Sequence, residues 1–181
     1  MKFSLITATY NSLSSIHSVL DSVRAQTHSD IEWIIVDGGS TDGTLDFIKE
    51  NEKYIDKYVS EKDKGIYDAL NKGVKMASGD VIGFLHSDDF LASSEIIATI
   101  NNVFSANQVD GVYGDLEYVE KENTNKVVRY WKSKTFQYSL LKKGWMPAHP
   151  TVFLKKEVYQ KHGFFNTNLK ISFITANLWG I

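Results

Sequence analysis

Through residue 106, apolar runs of strand length alternate with stretches whose apolar residues recur at helical spacing. Few folds satisfy that alternation. KFSLITA reads as a first strand, and from Ser12 to Gln26 the residues Ile16, Val19, Leu20 and Val23 share one helical face. IEWIIVD is almost wholly apolar, as in a strand covered on both sides. STDGTLDFIKEN opens a helix that Ser40 or Thr41 can cap, with Asp42 where the helix dipole favours negative charge. DKYVSE is a weaker strand, and DKGIYDALNKGVKMASG a helix with Ile66, Leu70 and Val74 on one face and Gly79 at its end. DVIGFLHSDD is a fourth strand, and SSEIIATINNVFSAN a helix capped by Ser93 or Ser94. The alternation predicts an α/β fold: a mostly parallel, Rossmann-like sheet with helices on both faces.

After Asp110 the pattern changes. DGVYGDLEYVE and NKVVRYWKS are strand-like and flank the polar KENTN, which predicts an antiparallel hairpin with a long loop. WMPAHPTVF holds both prolines and predicts a loop leading into a strand, and KKEVYQKHGFF a short helix closing at Gly163. The 181 residues suit one domain, with a first half to residue 106, a second over 107–169 and a tail over 170–181. A net charge of −2 without a basic run argues against a nucleic-acid partner. The absence of cysteine excludes disulfides and thiolate metal sites and fits a reducing compartment. No apolar run is long enough for a transmembrane helix, and the N-terminal run turns polar too soon for a signal peptide. These features predict a cytoplasmic protein, which can still work at the surface of the inner membrane.

In open parallel sheets ligands bind beyond the carboxyl ends of the strands. TATYN, DGGSTDG, EKDKG and HSDD follow the four strands, so four polar clusters should meet on one rim. Asp88 and Asp89 repel each other unless a positive partner joins them. They read either as a helix cap in a solvated turn or as oxygen ligands for a divalent cation facing a diphosphate. Asp37 ends a buried strand, where a carboxylate needs partners. It either bonds the backbone of the following turn or accepts an N–H from a nucleobase. Gly38, Gly39 and Gly43 fit neither phosphate-binding glycine motif and read as a tight turn. His149, between Pro147 and Pro150, is either an ordinary packed residue or a group held in place by a stiffened loop.

Taken in order, TATYNS, SVRAQTHSDIEWIIVDGGSTDGT, SEKDKGIYDALNKGVKMASGDVIGFLHSDD, VYGD and GWMPAHPTVFLKKEVYQKHGFF resemble the family 2 glycosyltransferases of the GT-A fold, in particular bacterial members that build cell-surface polysaccharides. The resemblance implies inverting transfer of a sugar from a nucleoside-diphosphate donor to a saccharide or lipid-linked acceptor, with Mn2+ or Mg2+ as cofactor. It places Thr7, Ala8, Thr9 and Tyr10 against the nucleotide, Asp37 on the base and Lys64 near the donor. Asp88 and Asp89 take the metal and diphosphate, with Asp89 as the direct ligand. Trp145, His149 and Thr151 fall on the acceptor side, and Trp131 and Trp145 are candidates for stacking on sugar rings. The acidic residue that often opens the family's Asp-x-Asp motif is replaced by His86.

Beyond about Leu169 the resemblance fades. The family usually supplies its general base there, and no Asp or Glu follows Glu157. The expectation is a chain that binds donor and metal but transfers poorly, with Asp115 or His149 as substitute bases. The alternative is a non-catalytic paralogue that binds nucleotide-sugar or a partner. A nucleotidyltransferase would need a glycine-rich basic loop after the first strand, and TATYNSLSS is neither. Phe164, Phe165 and the final LWGI would lie bare, which favours self-association.

Overall fold

A computed structural model describes residues 1–167, Leu141 by its backbone alone. Four parallel strands form the centre: β1 (Phe3–Thr9), β2 (Ile31–Asp37), β3 (Lys57–Ser60) and β4 (Val81–Phe84). The sheet order β3-β2-β1-β4 is extended by β8 (Phe153–Lys155), antiparallel to β4, and then by β5 (Gly111–Val112). The predicted α/β architecture is therefore present, with a small antiparallel sheet beside it.

Strand periodicity divides the core into two layers. Phe3, Leu5, Trp33 and Ile35 face helices α1 (Ile16–Arg24), α2 (Thr44–Glu50) and α4 (Ile96–Ala106), meeting Ile16, Phe47 and Ile97. Ile6, Ile34, Val36 and Ile82 face the other way, toward Leu70 and Val74 of α3 (Ile66–Met76) and Tyr159 of α6 (Lys156–His162). Both faces of β1 and β2 are buried, which accounts for their nearly unbroken apolar sequences. Gly163 ends α6 with a φ of 89°, a conformation costly for residues with a Cβ.

Several local expectations change. Helix α2 begins at Thr44 behind Gly43, without a side-chain cap, because Ser40 is bonded to Asp37 instead. Helix α4 begins at Ile96, so Ser93 and Ser94 precede it rather than cap it. Helix α3 ends at Met76, not Gly79, and Ile66 is exposed in its first turn. The run from Asp110 splits. Its start pairs with β8 as β5, and its end leaves the main sheet to form a hairpin of β6 (Leu116–Val119) and β7 (Val127–Trp131). The break falls at Gly114, whose carbonyl accepts the Ser133 hydroxyl and, at 3.1 Å, the Thr151 hydroxyl. The helix α5 (Tyr138–Leu141) is one turn between the hairpin and the proline loop. The divergent tail, with its missing base segment, lies outside the described residues.

Candidate functional site

The four polar clusters stand at the carboxyl ends of β1–β4, and side chains bind three of them together. The Asn11 amide N–H donates to Ser40 Oγ at 2.8 Å, and Asn11 Oδ1 accepts the Thr41 N–H at 2.9 Å. Asp42 accepts the N–H of Leu13 at 3.0 Å and the hydroxyl of Thr44 at 2.6 Å. Ser12 Oγ and Ser87 Oγ lie 2.9 Å apart, which ties the loop after β1 to the loop after β4. Asn11, Ser12, Asp42 and Ser87 therefore fix the rim. Sequence reading passed over this network because, apart from Thr44 on Asp42, its partners are 29 to 75 positions apart.

Asp37 is wholly buried. One of its oxygens accepts Gly39 N–H at 3.2 Å, Ser40 N–H at 3.0 Å and Ser60 Oγ at 2.6 Å, and the other accepts the Ser40 hydroxyl. These bonds hold the turn after β2, the first of the two roles the sequence left open. Asp63 was not singled out from the sequence, yet its carboxylate lies over the glycine that follows Asp37. A Cβ on Gly38 would stand 2.7 Å from Asp63 Oδ2 and 3.4 Å from the Tyr10 ring. The signal was present in EKDKG, but only folding shows which member of that cluster reaches the neighbouring loop.

Of the four residues after β1, Tyr10 is 64% exposed and presents its ring at the rim. Thr7 points into the core, where its hydroxyl accepts the Trp33 indole N–H at 3.0 Å. Ala8 is buried in the layer under α3. Thr9 is buried too, and its Oγ1 has no hydrogen-bond partner among the described residues. Lys64 is exposed, and its backbone N–H donates to Asp68 at 3.1 Å.

The turn after β4 is closed by Asp89 N–H donating to the His86 carbonyl at 3.0 Å, and it leaves Asp88 exposed and Asp89 partly buried. Burial, with the Asp88 charge beside it, pushes the Asp89 carboxyl up to about 6, against weaker opposing help from His149 and the His86 backbone. The His86 and His149 rings meet edge to face at 5.4 Å, and His86 Nε2 is buried without a hydrogen-bond partner among the described residues. Burial pushes the His86 imidazole pKa down, against the pull of Asp88. For His149 burial and His86 push it down, against the pull of Asp89. His149 thus joins the carboxylate pair, as its place in a proline-bounded loop allowed.

Asp115 is tied up elsewhere. It accepts the Tyr130 hydroxyl and, at 2.8 Å, the Ser133 N–H at the foot of the hairpin. Those two bonds hold its carboxyl below the usual range. Trp145 packs on Tyr113 with ring centres 6.0 Å apart, and Thr151 tethers its loop to Gly114.

Among the described residues no three Asp, Glu, His or Cys side chains converge closely enough to hold a metal by themselves. Asp88 and Asp89 do fit a hard cation that takes one or two carboxylates from protein and the rest of its oxygens from phosphates. The partly buried, poorly partnered Asp89 is the observation that supports such a fit.

Comparison with known proteins agrees with this fold. Solved glycosyltransferases share the fold. Staphylococcus aureus TarS 1–349 in complex with UDP superposes with a TM-score of 0.74 at 21% identity, covering 95% of this chain and 52% of that one. A mannosyltransferase from Pyrobaculum calidifontis in complex with GDP-Man and Mn2+ gives 0.70 at 21% identity, covering 93% and 48%. A PGL/p-HBAD biosynthesis glycosyltransferase of Mycobacterium bovis is 31% identical over 173 residues, which are 93% of this chain and 65% of that protein. The chain spans 65% of the length of that relative and 38% of a glycosyltransferase of Nostoc that is 37% identical over 123 residues, less than two thirds of either. No described helix is long and apolar enough to cross a membrane. The glycosyl transferase family 2 model matches residues 4–177, which include every rim cluster and extend past the point where the resemblance read from sequence fades. On that match, together with the shared fold, the chain belongs to glycosyl transferase family 2.

Proposed function

We propose that this chain binds a nucleoside-diphosphate sugar across the rim of β1–β4 and transfers the sugar, with inversion, to a saccharide or lipid-linked acceptor on the His149 side. The observation that carries the reading is the Asp88–Asp89 pair at the end of β4. It holds a partly buried carboxyl whose charge the chain does not balance. The names of the relatives, and the nucleotide and Mn2+ complexes of the structural neighbours, support a donor of this class and a divalent metal.

In this reading the Tyr10 ring lies against the base and the Asp63 carboxylate accepts a base N–H. Asp37, expected to accept from the base itself, acts on it through the turn it fixes. Thr9 Oγ1 and the backbone of Thr7 and Ala8 line the floor, and Lys64 reaches the diphosphate from the side. Asp88 and Asp89 hold Mn2+ or Mg2+, which when bound neutralises the diphosphate as it arrives and leaves. An acceptor hydroxyl attacks the anomeric carbon opposite the leaving nucleoside diphosphate. The new C–O bond forms as the bond to the phosphate oxygen breaks, and the hydroxyl proton passes to a base. His149 suits that step better than Asp115. Its lowered pKa leaves a neutral nitrogen free to take the proton. Asp115 is committed to Tyr130 and Ser133.

The test is release of nucleoside diphosphate from UDP- and GDP-sugars, for the chain and for Asp89→Ala. Release that Asp89→Ala abolishes supports a transferase. Metal-dependent nucleotide binding with no release under any condition would support the binding-only alternative.

A further inference from the structure

The rim accounts for one end of the molecule. The hairpin β6–β7 is left without a role. Neither strand has a substantial interface with any described element besides its partner strand, and all of β7 except Trp131 is exposed. A two-stranded sheet with both faces in water is marginal by itself, so a surface on this hairpin needs something to cover it.

Its chemistry indicates what. The hairpin itself is balanced, with Glu117, Glu120 and Glu122 against Lys121, Lys126 and Arg129. The arm over 132–145 carries Lys132, Lys134, Lys142 and Lys143 and no Asp or Glu, so that residues 126–145 hold six cations in a chain whose net charge is −2. Among the described residues only Lys126 of these six forms a salt bridge, to Glu120. Arg129 instead lies over the rings of Tyr118 and Trp131, at 5.4 and 5.7 Å from their centres. Beside the cations stand exposed apolar and aromatic groups: Val128 at 57%, Tyr130 at 52% and Tyr138 at 62% exposure.

We infer that the hairpin and the arm that follows it dock on an anionic phospholipid surface. Cations interleaved with aromatic rings and valines suit the boundary between charged headgroups and acyl chains, where aromatic side chains and basic residues anchor together. A second copy of the chain fits the arm poorly, because a two-fold contact there sets Lys132, Lys134, Lys142 and Lys143 against the same four lysines. A neutral saccharide has no use for the cations. The patch is also joined to the rim. Ser133 and Thr151 both donate to the Gly114 carbonyl, and Thr151 belongs to the loop that carries His149. Docking would bring the His149 side of the rim close to the bilayer. The docking itself is independent of the transfer reading. Its corollary, a lipid-borne acceptor, rests on that reading.

The experiment is co-sedimentation of the whole chain with vesicles of phosphatidylcholine alone and of phosphatidylcholine mixed with phosphatidylglycerol, at low and high salt. UDP binding is measured on the same samples. The expected result is sedimentation with the mixed vesicles only, lost at high salt. Lys132→Gln combined with Lys134→Gln should weaken it by about 30-fold while leaving UDP binding unchanged. Val128→Ser should weaken it as well, which a purely electrostatic contact would not show. Equal binding to both vesicles, no binding to either, or indifference to the lysine pair would each overturn the inference. So would a dimer in solution whose contact hides the patch. Because UDP binding is read separately, failure of docking is distinguishable from failure of the donor site.

Discussion

Two carboxylates, the buried Glu32 and the partly buried Asp89, sit at opposite ends of the same sheet, and the chain treats them differently. Glu32, near the start of β2, is 2% exposed. It accepts Ser4 Oγ at 2.6 Å and from Ser78 both N–H at 2.8 Å and Oγ at 2.7 Å, and it pairs with Lys57 at 2.8 Å and Lys2 at 3.5 Å. Burial acts to raise its pKa, but Lys57, Ser4 and Ser78 outweigh burial and hold the group far below the usual range. Asp89 gains little from the chain, and its pKa moves up. A charge that the fold satisfies reads as structure. A charge that the fold leaves short of partners, on the rim where ligands bind, reads as a seat for something supplied from outside.

The comparison breaks most visibly if the two carboxylates are neutralised in turn. Asp89→Asn should weaken manganese-dependent UDP binding by about 100-fold or more. It should also raise stability at pH 7, since the folded state no longer holds a disfavoured charge. After allowance for partial exposure the gain is about 1 kcal/mol, read from denaturant unfolding. Loss of stability in this variant would mean that Asp89 is satisfied by the chain after all.

Glu32→Gln should act in the opposite sense, costing about 1–2 kcal/mol, because the charge-assisted bonds from Ser4, Ser78 and the half-exposed Lys57 weaken while Lys57 can still be solvated. That corresponds to a fall in Tm of roughly 2–8 °C, with UDP affinity unchanged in protein that remains folded. The acid limb sharpens the contrast. The depressed Glu32 pKa gives stability that is present above its ordinary value of 4.5 and lost as pH falls below it. The variant should therefore show a flatter acid limb. Asp89 contributes the other sign, so its destabilisation should fade as pH drops through about 6.

Two smaller effects follow. Gly38→Ala should displace the Asp63 carboxylate, whose oxygen lies 2.7 Å from the added Cβ, and weaken UDP binding about tenfold. Calorimetry with unchanged affinity would remove Asp63 from the base site. Ser4→Ala, which takes one donor from Glu32, should cost about 1 kcal/mol and leave the rim untouched.

The same contrast shows what sequence could reveal. Apolar runs covered on both faces marked β1, β2 and β4, and the end of each marked the rim. Glu32 stood inside IEWIIVD as the one polar residue ahead of the terminal Asp37, and its partners Ser4, Lys57 and Ser78 come from three other segments. No local pattern encodes that. Asp63 and the Asn11 network were hidden for the same reason, since loop-to-loop contacts depend on how the strands align. The cap of α2 was misplaced because Ser40 bonds Asp37 within the turn and the Asn11 N–H from the loop after β1. At α4 the Ser93 hydroxyl accepts the Glu95 N–H at 3.3 Å, and the helix starts one residue later. Strand β8, between β4 and β5, has three residues and too little periodicity to show its direction.

The most direct measurement is calorimetric titration of the chain with UDP, with and without manganese, for the native sequence and for Asp89→Asn. The rim carboxylates predict tight binding that requires manganese in the native chain and is weakened about 100-fold or more in the variant. Binding of equal strength without the metal, or binding that survives Asp89→Asn unchanged, would contradict the assignment of Asp88 and Asp89 as the cation's seat.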